Sequence, residues 1–555
     1  MGSTMEPRTF DMQWVKGTDP KEGNWPGLRT NQVEKDLGME ITWDVPVALR
    51  DGVKVYVDVF RPDSFTGKLP IILSYSPYGK HGFKTFDMFP GADVPAGSVS
   101  RYAVWEGPDP SYWTQKGYCV INADARGSWG SEGNCTIMST QEGIDGYDIV
   151  EWAGTLPWSN GRVGLSGLSY LSVSQWRIAE NNPPHLACIQ VFGGFSEVYR
   201  DYSHHGGIPE TNFVKFMEWS CRFSHGLVED WVKMQKEHHL YDNYQADKRA
   251  KLSQIKAPAY VVADWGDQGL HTRGNLVAWS EISSEQKWLE IHGRKKWQYY
   301  YSKPSLLRQE AFFQKFLKQE ASEVDNWPTV RIETRERAHR NIARNEMEWP
   351  IARTRMVRMY LDNSTSRLLQ DPPKSIGISR YASGDPKDAL LFSHKFNEET
   401  ELTGTMRLRL WVSAEHEDMD IFVRADKLDD SGVVVPFVAM SMMDDGPMAL
   451  GWIRVSHREL DLERSTENHP WLQHRRQLLL RPNEVAPVDI EIMPSSTLFH
   501  PGDSLRLTIK GSDTWVYDRR QIQLHQDTVN QGPHSLYTGG PFESFLVMPV
   551  IDKET

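Results

Sequence analysis

The stretch Arg162-Val163-Gly164-Leu165-Ser166-Gly167-Leu168-Ser169-Tyr170-Leu171 decides the fold. A short apolar run reads as a strand, Gly167 permits a sharp turn, and Ser169 stands where a helix opens toward Glu180. This is the logic of a nucleophile elbow: the turn holds the serine hydroxyl above a sheet, and the helix behind it offers free N–H groups to a developing oxyanion. The common form is G-x-S-x-G, but here Leu171 takes the fifth position. A serine that merely caps a helix after a strand is the plainer reading. Ser166 competes less well, because it lies in the approach to the turn.

Working outward, short apolar runs recur at Leu69–Tyr75, Tyr118–Ala123, Ala187–Phe192, Tyr260–Ala263 and Trp288–Ile291. Nearly continuous apolar runs are what a parallel sheet covered on both faces requires. Helical patterns alternate with them, as at Thr140–Leu156 and Lys303–Lys318, so the class is α/β. A strand pair is expected at Ile41–Leu49 and Val53–Phe60 around the turn Arg50-Asp51-Gly52. The rhythm breaks over residues 195–255, which are helix-like and rich in aromatics and His, as an inserted cap would be. From about Arg353, period-two strands separated by Gly, Pro, Asn and Asp turns predict an antiparallel sandwich or jelly roll. The expected organisation is an N-terminal arm over 1–35, an α/β unit over 36–194 and 256–345 interrupted by the cap, and an all-β domain over 346–555.

Composition bounds the function. The 555 residues carry a formal charge of −12, which argues against a nucleic-acid partner needing a basic face. No apolar run reaches membrane-spanning length, the start of the chain has no signal core, and Gly2 lacks a convincing myristoylation context. A cytoplasmic protein with no membrane partner is expected. The four cysteines (Cys119, Cys135, Cys188, Cys221) have neither CxxC spacing nor the density of a disulfide framework.

The motifs resemble those of the cocaine-esterase-like hydrolases, relatives of X-prolyl dipeptidyl peptidases and α-amino-acid ester hydrolases. Gly167-Leu168-Ser169-Tyr170 is similar to that family's G-x-S-Y elbow, and Trp158 to Gln175 to the longer stretch around it. Ser76-Pro77-Tyr78-Gly79-Lys80 resembles the loop whose Tyr completes the oxyanion hole, and Asp124-Ala125-Arg126-Gly127-Ser128-Trp129-Gly130-Ser131-Glu132-Gly133 its D-x-R-G-x-G-x-S-x-G stretch. The resemblance covers roughly residues 38–550. It implies an α/β-hydrolase fold with a C-terminal jelly roll, Ser169 as nucleophile, and the Tyr78 hydroxyl and Tyr170 amide as oxyanion donors.

The acid should follow the next-to-last strand, since chain order in this fold is Ser, then Asp or Glu, then His. The family's G-W-x-D-like loop places it at Asp267 of Asp264-Trp265-Gly266-Asp267, with Asp264 the competitor. The family's base lies in a G-P-W-x-H-like segment after the last strand. Here that strand continues His292-Gly293-Arg294-Lys295-Lys296-Trp297, and the family's His position falls near Lys295 or Lys296. His292, at the strand end, is the expected base; His271, four residues after Asp267, is the alternative. Ser–Lys chemistry would need a buried, neutral lysine.

His204 and His205 open the cap, and no third ligand with metal spacing accompanies them. They are expected to line the pocket with Trp129, Trp265 and His271. Glu210 and Asp201 are candidate anchors for a substrate amine. The leading expectation is a serine hydrolase cleaving an ester or amide of a small molecule or short peptide through an acyl-enzyme, with no metal or organic cofactor. Non-hydrolytic chemistry on the same scaffold, such as acyl transfer, cyclisation or isomerisation, is motivated by the displaced His. A catalytically silent scaffold is the third reading. A homodimer through the β domain is plausible.

Overall fold

Short apolar strands can satisfy their backbone groups only side by side, and in the computed structural model of the protein they do so in one sheet. The described residues are 10–80, 86–89, 91–515 and 523–553. The terminal residues weighed as a lipidation signal lie outside them. The strands are β1 (Val33–Asp36), β2 (Met39–Ala48), β3 (Lys54–Pro62), β4 (Leu69–Ser76), β5 (Cys119–Asp124), β6 (Ser159–Leu168), β7 (Leu186–Phe192), β8 (Ala259–Asp264), β9 (Lys287–His292), β10 (Val330–Arg337) and β11 (Arg340–Glu346). Their order across the sheet is β1-β2-β3-β5-β4-β6-β7-β8-β9-β10-β11. Pairing is parallel from β5 to β10 and antiparallel at both flanks.

The helices that bear on the site are α1 (Thr140–Gly154), α2 (Tyr170–Ala179), α3 (Phe213–Cys221), α4 (Trp231–Glu237), α5 (Thr272–Glu281), α6 (Lys296–Tyr300) and α7 (Lys303–Phe313); short helices also lie at Pro110–Gln115 and Asn243–Asp247. The pleat sorts side chains between two cores. Ile71, Leu73, Val261 and Ala263 meet α1, α2 and α5 on one face, while Ile72, Tyr260 and Val262 meet Phe312 and Phe313 of α7 on the other. That is why these strands read as continuous apolar runs. The cap between β7 and β8 carries α3 and α4. The segment Trp14–Lys16 pairs with Leu227–Glu229 of the cap. Residues 33–35, the end of the stretch read as an arm, belong to β1 at the sheet edge instead.

The C-terminal region is antiparallel: β12 (Thr354–Asp362), β13 (Leu390–Lys395), β14 (Thr400–Ala414), β15 (Asp420–Leu428), β16 (Ala449–Arg454), β17 (Ala486–Phe499), β18 (Ser504–Lys510), β19 (Pro533–Thr538) and β20 (Phe545–Ile551). One layer runs β12-β20-β14-β17 and the other β13-β18-β15-β16, with β19 along the end of β14. Leu408, Leu410, Ile421, Val423, Ile490 and Leu507 interdigitate in the shared core. Pairing of Gly451 with Ile492 joins the layers into a barrel-like sheet.

Buried charge ties this domain to the α/β unit. Arg273 of α5 donates to Asp201 in the cap at 2.7 Å and to both carboxylate oxygens of Glu491 on β17 at 3.0 Å. Its guanidinium also lies over the Trp471 ring, 4.6 Å from the centroid, and Arg464 covers the same ring at 3.4 Å. Removing one member of a buried ion cluster strands the others, at a cost of about 3–5 kcal/mol. Arg273→Met should therefore lower the urea midpoint markedly; a midpoint equal to that of the parent chain would show that the cluster contributes nothing to stability.

Candidate active site

Four strand ends converge at the carboxyl edge of the sheet, where this architecture places ligands. Ser169 is the residue between β6 and α2. Its backbone sits at φ 59°, ψ −120°, a strained conformation for a residue with a side chain. Close packing imposes it. A Cβ on Gly167 would fall 2.4 Å from Leu171 Cβ, and one on Gly194 would fall 2.6 Å from Ser172 Cβ. The room that a fifth-position glycine usually gives is supplied here from Gly167 and from Gly194 beyond β7, which lets Leu171 stand in the elbow.

The partner of Ser169 is His271, whose Nε2 lies 3.3 Å from the serine Oγ. His271 precedes α5, and its Nδ1 hydrogen-bonds Asp267 Oδ2, one helical turn earlier. Lys296, at the start of α6, donates from Nζ to the same Asp267 oxygen at 2.7 Å and stands 3.3 Å from His271 Nδ1. The Phe195 ring stacks on the imidazole at 5.7 Å. His271, Asp267, Lys296 and Phe195 are buried, and Ser169 is half-buried.

Burial alone would raise the Asp267 carboxyl, but Lys296 and His271 hold it well below the usual carboxylate range. Its neighbour Asp264 is driven the other way, well above the usual carboxylate range, by burial and by the Asp267 charge. The two carboxyls that competed in the sequence are thus separated by environment. Burial, and then the Lys296 charge, lower the His271 imidazole to about 4 against the opposing pull of Asp267.

His292 is not at Ser169. As the last residue of β9 it is in register with Asp264, below the loops that reach the serine. Its Nδ1 accepts from the Arg294 amide at 3.2 Å, and its ring packs on Tyr299 at 4.1 Å. Of the two lysines near the family's His position, Lys295 turns outward to Asp93 at 2.6 Å and Asp444 at 3.1 Å, and only Lys296 enters the site.

Tyr78 follows β4 and lines the same cavity as Ser169, with its ring edge-on to Tyr170 at 5.3 Å. Its hydroxyl points to Met217 Sδ at 3.4 Å, and burial raises the phenol well above 10, so it remains a donor. The Tyr170 amide is the first N–H of α2, beyond the reach of any intrahelical carbonyl. The Tyr170 phenol is used elsewhere, donating to Glu142 at 2.6 Å.

The cavity measures about 240 Å³ and is mainly apolar. Phe213, Phe216 and Met217 of α3 roof it; Met440 and Met442 of the C-terminal domain wall one side. Glu106, buried and accepting from Trp297 Nε1 at 2.9 Å, brings a carboxylate to the lining. Glu106 and the two methionines escaped the sequence reading, because no local pattern marks a loop residue that reaches a site from another layer.

The other pocket candidates are not in the lining. Trp129 is buried against Phe223 and donates to the Pro77 carbonyl at 3.1 Å, bracing the Tyr78 loop from behind. Trp265 is fully buried and donates to the Glu333 carbonyl at 2.8 Å. His204 stacks on Tyr199, and His205 bonds His525 at 2.8 Å and the Gly269 carbonyl at 2.7 Å, so both serve the domain junction. Glu210 caps α3 through the amides of Asn212, Phe213 and Val214, and Asp201 holds Arg273.

The fold and this strand-end arrangement define an α/β-hydrolase with an attached β domain. Residues 51–297 match the X-Pro dipeptidyl-peptidase (S15) family, and residues 322–547 match the X-Pro dipeptidyl-peptidase C-terminal non-catalytic domain. The crystal structure of a CocE/NonD family hydrolase from Staphylococcus aureus superposes with a TM-score of 0.90 at 36% identity, covering 93% of this chain and 94% of that one. Cocaine esterase of a Rhodococcus species is 22% identical over 630 aligned positions, covering 93% of this chain and 100% of that protein. An α-amino acid ester hydrolase shares the fold at a TM-score of 0.70 and 17% identity. The chain belongs to the CocE/NonD family and is a serine hydrolase of that group. None of the helices among the described residues is long and apolar enough to cross a membrane.

The Tyr78 loop is anchored by Lys80, whose buried ammonium contacts Asp44 and lies 3.0 Å from Asp58 and 3.8 Å from Asp124. Lys80→Met would leave clustered carboxylates buried together. We expect a loss of about 3–5 kcal/mol in urea unfolding, with activity falling before the fold does; unaltered unfolding and activity would remove Lys80 from this account.

Proposed function

We propose that the protein hydrolyses small esters, and activated amides, through an acyl-enzyme on Ser169. The observation that carries this reading is the imidazole of His271 lying 3.3 Å from Ser169 Oγ while bonded to Asp267. His271 Nε2 takes the serine proton as Oγ attacks the carbonyl carbon. The resulting oxyanion accepts from the Tyr78 hydroxyl and the Tyr170 amide. His271 then returns the proton to the leaving alcohol or amine, and a water activated by the same imidazole cleaves the acyl-enzyme, restoring Ser169. Asp267 holds the ring in the tautomer with its proton on Nδ1 and stabilises the transient imidazolium.

The apolar cavity suits an aliphatic or aromatic acyl or leaving group. An X-Pro peptidase reading is favoured less, since Glu210 and Asp201, the acids considered for a substrate amine, are engaged by backbone amides and by Arg273. Redirected, non-hydrolytic chemistry was suggested by a base missing from the last loop. An imidazole beside Ser169 takes that motive away.

Intact-mass analysis after a fluorophosphonate probe tests the assignment. One adduct is expected on the native chain and none on Ser169→Ala. His271→Gln should slow labelling about 10²–10⁴-fold, the usual contribution of a positioned base. His292→Gln should leave the rate within a few-fold. Labelling that depends on His292 and ignores His271 would reverse the assignment of the base.

A further inference from the structure

The loop after β9 brings a cation to the acid rather than an imidazole. Lys296 Nζ donates to Asp267 Oδ2 at 2.7 Å, the same oxygen that accepts from His271 Nδ1, and lies 3.3 Å from that ring nitrogen. The lysine side chain is about 6% exposed and lines the cavity beside Ser169. Its ammonium also lies 4.8 Å from the centroid of the Trp297 ring, which fixes the stem.

We propose that Lys296 is a positioning residue that acts through Asp267 and His271: it fixes the acid on the oxygen shared with the imidazole and sets the proton affinity of the base, so that the enzyme works further into acid than one whose acid serves the histidine alone. This rests on the reading of Ser169, His271 and Asp267 given above.

Electrostatics fixes the direction. A full positive charge 3.3 Å from the ring opposes protonation of His271. Sharing Oδ2 also divides the negative charge that would favour the imidazolium. Other groups surround the ring. Asp267 of the β8 loop bonds it, with Asp264 beside that acid, Ser169 of the elbow stands at Nε2, the Phe195 ring stacks on it, and Tyr78 and Glu106 line the cavity on which Ser169 and Lys296 open. On the histidine's own helix, Arg273 is neutralised by Asp201 and Glu491. Lys296 is thus the cation hydrogen-bonded to the acid of this group. The lysine is not the proton acceptor from Ser169 here, because its ammonium is spent on Asp267.

The cost is in the transition state, where a weaker base accepts the serine proton less readily at neutral pH. The gain is a base that stays unprotonated as pH falls. Removing the charge takes the gain away: the acidic limb of the pH profile moves up.

The test is the pH dependence of kcat/KM for a p-nitrophenyl ester, together with the rate of fluorophosphonate labelling at Ser169, which reports the same base without a turnover substrate. Both are measured on the native chain, Lys296→Met, Lys296→Gln and Lys296→Arg. The neutral variants should move the acidic limb upward by about one pH unit or more, read in each variant against its own plateau. Lys296→Arg, which retains the charge, should keep the native limb. The glutamine variant serves if the methionine variant does not fold. A limb that stays fixed in the folded neutral variants overturns the proposal. Labelling that is intact with an unmoved limb refutes the role of Lys296 alone; no labelling of Ser169 in the native chain refutes the triad and this inference together.

Discussion

The site depends on keeping one carboxylate ionised where no water reaches it. Asp267 is buried, and burial by itself favours the neutral acid. The protein answers with two partners on one oxygen, the His271 imidazole and the Lys296 ammonium. Asp264, three residues away, is pushed toward its neutral form by burial and by the Asp267 charge. If Asp267 became neutral, the imidazole would lose the acceptor that orients Nδ1, and Nε2 would no longer be aimed at Ser169.

That requirement explains how the rest of the molecule meets the loop from Asp264 to His271. Gly266 has no room for a side chain: a Cβ there would lie 2.4 Å from the Val438 carbonyl oxygen. The Met440 amide donates to the Gly266 carbonyl at 2.7 Å. Gln268 reaches into the β domain, accepting from the Leu450 amide at 2.7 Å and donating to the Met448 carbonyl at 3.0 Å. From the cap, His205 donates to the Gly269 carbonyl at 2.7 Å and is itself held by His525, which pairs with Asp513 at 2.8 Å. The C-terminal domain therefore shapes the acid loop as well as walling the pocket, and Arg273 clamps the helix that follows to both neighbours.

What could be read in the sequence was what local geometry dictates. Gly167 and Ser169 announce a turn from strand to helix, and the continuous apolar runs announce a sheet covered on both faces. The β10–β11 hairpin was not legible, because Arg331, Glu333, Arg335 and Glu336 interrupt its apolar alternation; the buried Arg335 donates to Met448, Ser495 and Ser496 of the β domain, partners no local pattern announces. The imidazole beside Ser169 was not the one expected, for a similar reason. Strand-end position and chain order favoured His292, but strand register points that ring at Tyr299. The signal for His271 was present as an i, i+4 pair with Asp267, one helical turn apart. It carried no weight as sequence, since such pairs are common on helices and only the fold shows that this one faces a serine.

An acid and a base on the same turn make a different machine from an acid and a base on two loops. When the imidazole comes from the loop after the last strand, its aim depends on two segments that can move independently. Here the Asp267 carbonyl accepts from the His271 and Thr272 amides at 2.9 and 3.2 Å, so one turn of backbone sets both the Asp267 carboxylate and the His271 imidazole. Only the elbow has to be brought to this unit, and it is held by the strand pairing of β6 with β7 and β7 with β8. The last loop, released from supplying the base, can then supply charge. With the imidazole on the acid's own turn, a cation at position 296 can enter the site without displacing that imidazole, and the proton affinity of the proposed base becomes adjustable from a residue that acts on it through the acid.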